Sequence, residues 1–152
     1  METIDNWQLT VGNKQPTIIV CLLFIAYCLW LQSCSQQDSK LKQYKVQGEE
    51  LYIKHCSNCH QKDGKGLGLV YPPVDVSDYI DSNLTGVICL MDYGIEGELL
   101  VNGKSFNKPM QGIPQLTDLE IAEITTYLYN NWGRSKGIID VKEVTAALQT
   151  CQ

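Results

Sequence analysis

Residues 50–75 read ELYIKHCSNCHQKDGKGLGLVYPPVD, and the pentapeptide Cys56-Ser57-Asn58-Cys59-His60 inside that stretch decides what the chain can be. Two thiols three positions apart are followed at once by one of only 2 histidines in 152 residues. Three chemistries use such a spacing: a redox-active dithiol, half of a zinc site, and a covalent attachment point for haem. The residues on either side choose among them.

A thioredoxin-type pair is expected beside a βαβ pattern, with the motif opening a helix. Here the cysteines close a helical pattern instead: Leu51, Tyr52 and Ile53 supply apolar positions, and Glu49, Glu50 and Lys54 supply polar ones. Structural zinc takes four ligands in a tetrahedron, usually from two such pairs. No second pair exists, His55 and His60 flank the same cysteines, and neither Cys89 nor Cys151 has a neighbouring ligand. The haem reading uses every residue. Thiols at i and i+3 share one face of a helical turn and reach the two vinyl groups on one porphyrin edge, while the adjacent histidine aims its imidazole at the iron.

With those residues in place, the sequence resembles the class I c-type cytochromes over about residues 45–132. The resemblance implies a mostly α fold, in which N- and C-terminal helices cross over a haem c bound through Cys56 and Cys59 with His60 on the iron. Gly48 and Tyr52 match the family's glycine and, four residues on, its aromatic; that glycine lets the C-terminal helix cross closely. Tyr71-Pro72-Pro73 falls where the family places a proline carbonyl that accepts a hydrogen bond from the haem histidine. Such a bond fixes the ring's tautomer and makes it a better donor to iron. Read without the family, Pro72 and Pro73 are a stiff turn.

For the sixth ligand, Met1 is excluded by processing. Met91 lies in NLTGVICLMDYG, an amphipathic helical stretch closed by Gly94, where it shares a face with Val87 and Ile88 and packs as core. Met110 lies in FNKPMQGIPQ, a loop punctuated by Pro and Gly, 50 positions past His60. Small members of the family carry their methionine ligand in a similar loop, so the resemblance implies Met110; His55, Met91 or an open site are the alternatives. Thr117-Asp118-Leu119-Glu120 then reads as a capping box, opening a helix with Ile121, Ile124, Leu128 and either Tyr127 or Trp132 at helical spacing and Gly133 at its end. Between these elements, GELLVNGKSFN carries the Asn102-Gly103 hairpin signal, with an exposed tip as a candidate contact surface.

Upstream, Ile18 to Leu31 form an uncharged apolar run of 14 residues. A spanning helix needs roughly 20 apolar residues and an export signal about 7–15, so residues 1–33 read as a signal peptide. Leu31-Gln32-Ser33-Cys34 resembles a bacterial lipoprotein box, which implies a lipid on Cys34; the alternative is an uncleaved anchor with an incidental cysteine. Residues 34–44 read as a polar tether and 45–152 as the domain. The domain is then exported and held at a bacterial membrane, facing the periplasm or the outer surface.

Of 7 cysteines, Cys21 and Cys28 fall in the apolar run, Cys34 at the lipid site, and Cys56 and Cys59 at the haem motif. Cys89 and Cys151 remain. In an oxidising compartment a leftover pair reads as a disulfide, the alternative being two separately buried thiols. Asp140 as a cap, with Val141, Val144 and Leu148 as a stripe, predicts an extra C-terminal helix that the bridge would pin.

A formal net charge of -5 leaves no basic footprint, so nucleic acid is excluded as a partner. The resemblance implies electron transfer, with histidine and methionine filling both axial positions and respiratory or other redox proteins as donor and acceptor. The chain carries no copper, quinone or second haem motif, so it is not an enzyme alone. The alternative role is a fixed haem subunit of a larger oxidoreductase: a nitrite reductase, terminal oxidase or quinoprotein dehydrogenase.

Overall fold

A computed structural model describes residues 15–151, with backbone only for residues 15–17 and 29–35. The chain divides into two units, residues 1–38 and residues 39–152. Helix α1 runs Gln15–His55. In the first unit its side chains from Ile18 to Tyr27 are apolar and exposed. No helix among the described residues is long and apolar enough to cross a membrane. The side chain of Cys34, the residue read as a lipid site, lies outside the described residues, as do residues 1–14 of the signal segment.

The second unit opens six residues earlier than residue 45, where the sequence reading began the domain. Residues 39–44 are helical, and Tyr44 is buried in the core cluster. The physical reason is helical phase: Tyr44, Gly48, Leu51 and Tyr52 lie on one face at spacings of three and four, so the face that packs starts a turn and a half before the strongly apolar part. Lys40 pairs with Asp140 at 3.6 Å, which ties this first turn to the C-terminal tail.

Five further helices follow: α2 (Ser57–His60), α3 (Asp78–Ser82), α4 (Leu84–Tyr93), α5 (Asp118–Leu128) and α6 (Val141–Leu148). Two small antiparallel sheets are formed by β1 (Gly94–Ile95) with β4 (Met110–Gln111), and by β2 (Leu99–Val101) with β3 (Lys104–Phe106). Helices α1 and α5 cross closely at Gly48. A Cβ on Gly48 would lie 2.0 Å from the Glu123 carbonyl oxygen, so only glycine fits there. One turn on, Tyr52 packs its ring against Tyr127 (5.4 Å between centroids) and edge-on to Trp132 (5.8 Å).

Helix α5 carries the capping box that Thr117 and Glu120 predict, with both hydrogen bonds present. It ends at Leu128, with Tyr129 as its C-cap, earlier than the periodicity to Trp132 implies; Trp132 itself lies beyond the helix with a positive φ of 49°. In α4, Val87, Ile88 and Met91 are buried together. The tail helix α6 is capped by Asp140, buries Val144 and Ala147, and packs on α4 and α5. Thr145 of α6 also donates to Asp118 at the start of α5. A disulfide joins Cys89 on α4 to Cys151, with 5.6 Å between their Cα atoms.

Candidate functional site

The last turn of α1 delivers the cysteines. Cys56 N–H donates to the Tyr52 carbonyl at 2.8 Å, and Cys59 and His60 N–H both return to the Cys56 carbonyl, at 3.1 and 3.0 Å. That single turn, α2, puts Cys56, Cys59 and His60 along one wall of a cavity of about 460 Å3, a volume in the range of cofactor pockets. The Tyr52 hydroxyl donates to the Gln61 carbonyl at 2.6 Å, fixing the chain where it leaves the motif.

From His60 the chain makes a tight loop and returns at Pro72, whose carbonyl lies 2.9 Å from His60 Nδ1. The ring therefore donates from Nδ1 and leaves the Nε2 lone pair free for a metal. Gly66 makes the loop possible. Its φ is +67°, and a Cβ there would sit 2.3 Å from the Tyr71 carbonyl oxygen and 2.6 Å from that of Pro72. Pro73 makes no such bond; it lines a smaller apolar cavity of about 70 Å3, which shares Cys56, His60, Met91 and Met110 with the larger one.

Burial lowers the His60 pKa, with the bond to Pro72 opposing that shift, so the imidazole is neutral and available as a ligand. Burial also pushes the Cys56 thiol up to about 12, with a smaller contribution from Cys59. A thiolate is disfavoured there; an uncharged thioether suits the site. The neighbouring Cys59 thiol raises the pKa of the Tyr71 hydroxyl.

Met91 and Met110 both line the larger cavity. Met91 is buried in the core cluster while also facing this space. Met110 is partly exposed and sits in a strand, not in a loop free to swing: Ile95 pairs with Met110 and Gly94 with Gln111, and Ile113 N–H donates to the Met91 carbonyl at 2.8 Å. The thioether is therefore held in register by the end of α4. The β2–β3 hairpin covers the cavity with Leu99 and Phe106. Its tip is exposed, as the Asn102-Gly103 turn implies, and it is anchored: Asn102 exchanges hydrogen bonds with Asp78 (3.0 and 2.7 Å) and donates to the Val76 carbonyl. His55 also borders the cavity.

This donor set fits haem c: two cysteines and a neutral imidazole on one wall, thioethers on the same cavity, and apolar side chains over most of the rest. It does not fit zinc. Among the described residues no three His, Cys, Asp or Glu side chains gather as a metal cluster. Sequence reasoning missed the β1–β4 pairing that holds Met110. A two-residue strand has no periodicity to read, and Met110 takes its pairing from Ile95, well back in the sequence.

The cytochrome c family model matches residues 46–132 of this chain. The chain is also similar to cytochrome c-552 of Thermus thermophilus, at 29% identity over 106 residues that cover 67% of this chain and 80% of that protein. A second Thermus thermophilus cytochrome c-552 shows the same identity, over 71% of its length. The cytochrome c subunit of alcohol dehydrogenase (quinone) from Gluconacetobacter polyoxogenes is 27% identical over 109 residues, 69% of this chain but 23% of that subunit.

Proposed function

As this chain belongs to the cytochrome c family, we propose that it is a membrane-tethered one-electron carrier whose haem iron is held between His60 and Met110. It is an electron-transfer protein with covalently bound haem c. The bound haem supplies a one-electron couple between ferric and ferrous iron. Cys56 and Cys59 would hold it by thioether bonds, and the Pro72 carbonyl, which takes the His60 Nδ1–H, leaves Nε2 as the nitrogen that would bind the iron. Met110 would supply the second ligand to the iron from β4. With His60 and Met110 both on the iron, no place would be left for oxygen, peroxide or substrate. A thioether ligand favours ferrous iron and raises the potential.

The observation that carries this reading is the pairing of Met110 with Ile95, which holds a thioether on the cavity that Cys56, Cys59 and His60 also line. Met91 is taken up by the core. The test is Met110→Ala: the oxidised wild type shows the weak sulfur-to-iron charge-transfer band in the far red, and the variant loses it and has a lower potential. A band that survives the substitution would move the ligand to Met91.

The chain is exported and tied to a bacterial membrane by lipid on Cys34. What supports this is the uncharged run from Ile18 to Leu31 followed by Leu-Gln-Ser-Cys. Mass spectrometry of the membrane fraction tests it; an unmodified Cys34 with residues 1–33 attached refutes it. A second reading, a fixed subunit of a larger oxidoreductase, draws on the likeness to the dehydrogenase cytochrome subunit. Stoichiometric co-purification in mild detergent would favour the subunit over the shuttle.

A further inference from the structure

Beyond α5 the chain passes through two left-handed residues, Trp132 (φ 49°) and Gly133 (φ 86°), which turn it back over the segment that follows Pro72. Two contacts result. The Trp132 ring lies against Gly64, with Cζ2 2.9 Å from where a Cβ would stand. Arg134 Nη1 donates to the Val74 carbonyl at 2.9 Å, and Nε donates to Asp81 Oδ1. The Arg134 side chain is only 13% exposed, so its guanidinium is largely withdrawn from water onto these two partners.

Gly64 and Val74 form the neck of the loop that begins at His60. The Gly64 carbonyl accepts from Val74 N–H at 2.6 Å and from Asp75 N–H at 3.1 Å. Val74 is separated from Pro72 only by Pro73, whose φ the ring fixes. Few free torsions therefore lie between the atom that Arg134 grips and the carbonyl that His60 uses.

We infer that Arg134 is a positioning residue for the proximal ligand: by clamping Val74 and Asp81 it orients the Pro72 carbonyl and so tunes the donor strength of His60. Arg134 stands outside the family match, which ends at residue 132. The inference rests on His60 serving the iron as proposed above. Its electrical sign is specific. Loosening the clamp weakens the His60–Pro72 bond, makes the imidazole a poorer donor and raises the potential. Loss of the Arg134 charge alone would leave Asp81 unpaired and lower it.

The experiment compares Arg134→Ala and Arg134→Lys in the haem-loaded full chain. It reads the potential and, by proton NMR of the ferrous state, the exchange rate of His60 Nδ1–H. Arg134→Ala should raise the potential and speed that exchange by about tenfold or more, the effect of losing a charge-assisted hydrogen bond. Arg134→Lys, with its charge and one donor, should return both toward wild type. If Arg134→Ala does not load haem natively, Asp81→Asn tests the same clamp through the exchange rate. A lowered potential, or an unchanged exchange rate in whichever variant loads, overturns the inference while leaving His60 as ligand. A wild type with no haem-shifted Nδ1–H resonance overturns both.

Discussion

Gly48→Ala is a stringent test of how α1 and α5 cross over the haem site. The added Cβ would meet the Glu123 carbonyl oxygen at 2.0 Å, its carbon at 2.6 Å and Tyr127 Cβ at 2.8 Å. Unstrained carbon contacts are about 3.5–4.0 Å, so the helices must separate by roughly 1 Å. The obstructing atoms at closest approach are backbone, which cannot rotate aside as a side chain can. Overpacking typically costs about 1–3 kcal/mol, and a backbone obstacle belongs at the upper end. Against this, alanine gains about 0.5–1 kcal/mol over glycine in a helix interior. The net is a loss of about 2 kcal/mol, which for a domain of this size lowers the melting temperature by roughly 10 °C. Thermal melts of the haem-loaded protein, followed by far-UV circular dichroism and by haem absorbance, measure it. A Gly48→Ala protein that melts at or above wild type would show that helix propensity outweighs the clash and that the crossing is looser than described.

The Cys89–Cys151 bridge spans 62 positions, and in the chain-entropy picture its closure contributes about 4 kcal/mol. Cys151→Ser should lower stability to chemical denaturation by about 2–4 kcal/mol, with fast amide exchange in α6 as its local sign. Thr117→Ala should cost about 1 kcal/mol through loss of the α5 cap. The same cap predicts a pH dependence. The Thr117 N–H and hydroxyl hold the Glu120 carboxyl below its usual value, so its contribution is present above the unfolded carboxylate pKa of about 4.3 and is lost as pH falls through the folded one. Thr117→Ala should therefore lose less stability than wild type between about pH 6 and about pH 3, as read by melts at both.

The parts of the fold written in local chemistry were legible in the sequence. Cys56, Cys59 and His60 declare themselves by spacing, Thr117 and Glu120 by capping, and Asn102-Gly103 by the turn they close. What was not legible depends on contacts between distant segments. Tyr44 looks like part of a polar tether until its place on the packed face of α1 is seen. Met110 looks like a loop residue because its strand is two residues long and draws its pairing from the end of α4. Trp132 shares the helical phase of α5 in sequence, yet it lies past the end of the helix with a positive φ, in the turn that brings Arg134 onto Val74 and Asp81. Gly133 announces that the helix ends there, but no pattern of residue types announces the contact with Val74, sixty positions away.

Carbon monoxide added to the ferrous wild-type protein tests the central claim most directly. If His60 and Met110 close both faces of the iron, the absorbance spectrum should stay that of a six-coordinate ferrous haem on addition of the gas, and Met110→Ala should form the adduct readily. Rapid adduct formation by the wild type would mean an open iron, and the chain would then be a sensor or a peroxidase-like protein in place of a closed electron carrier.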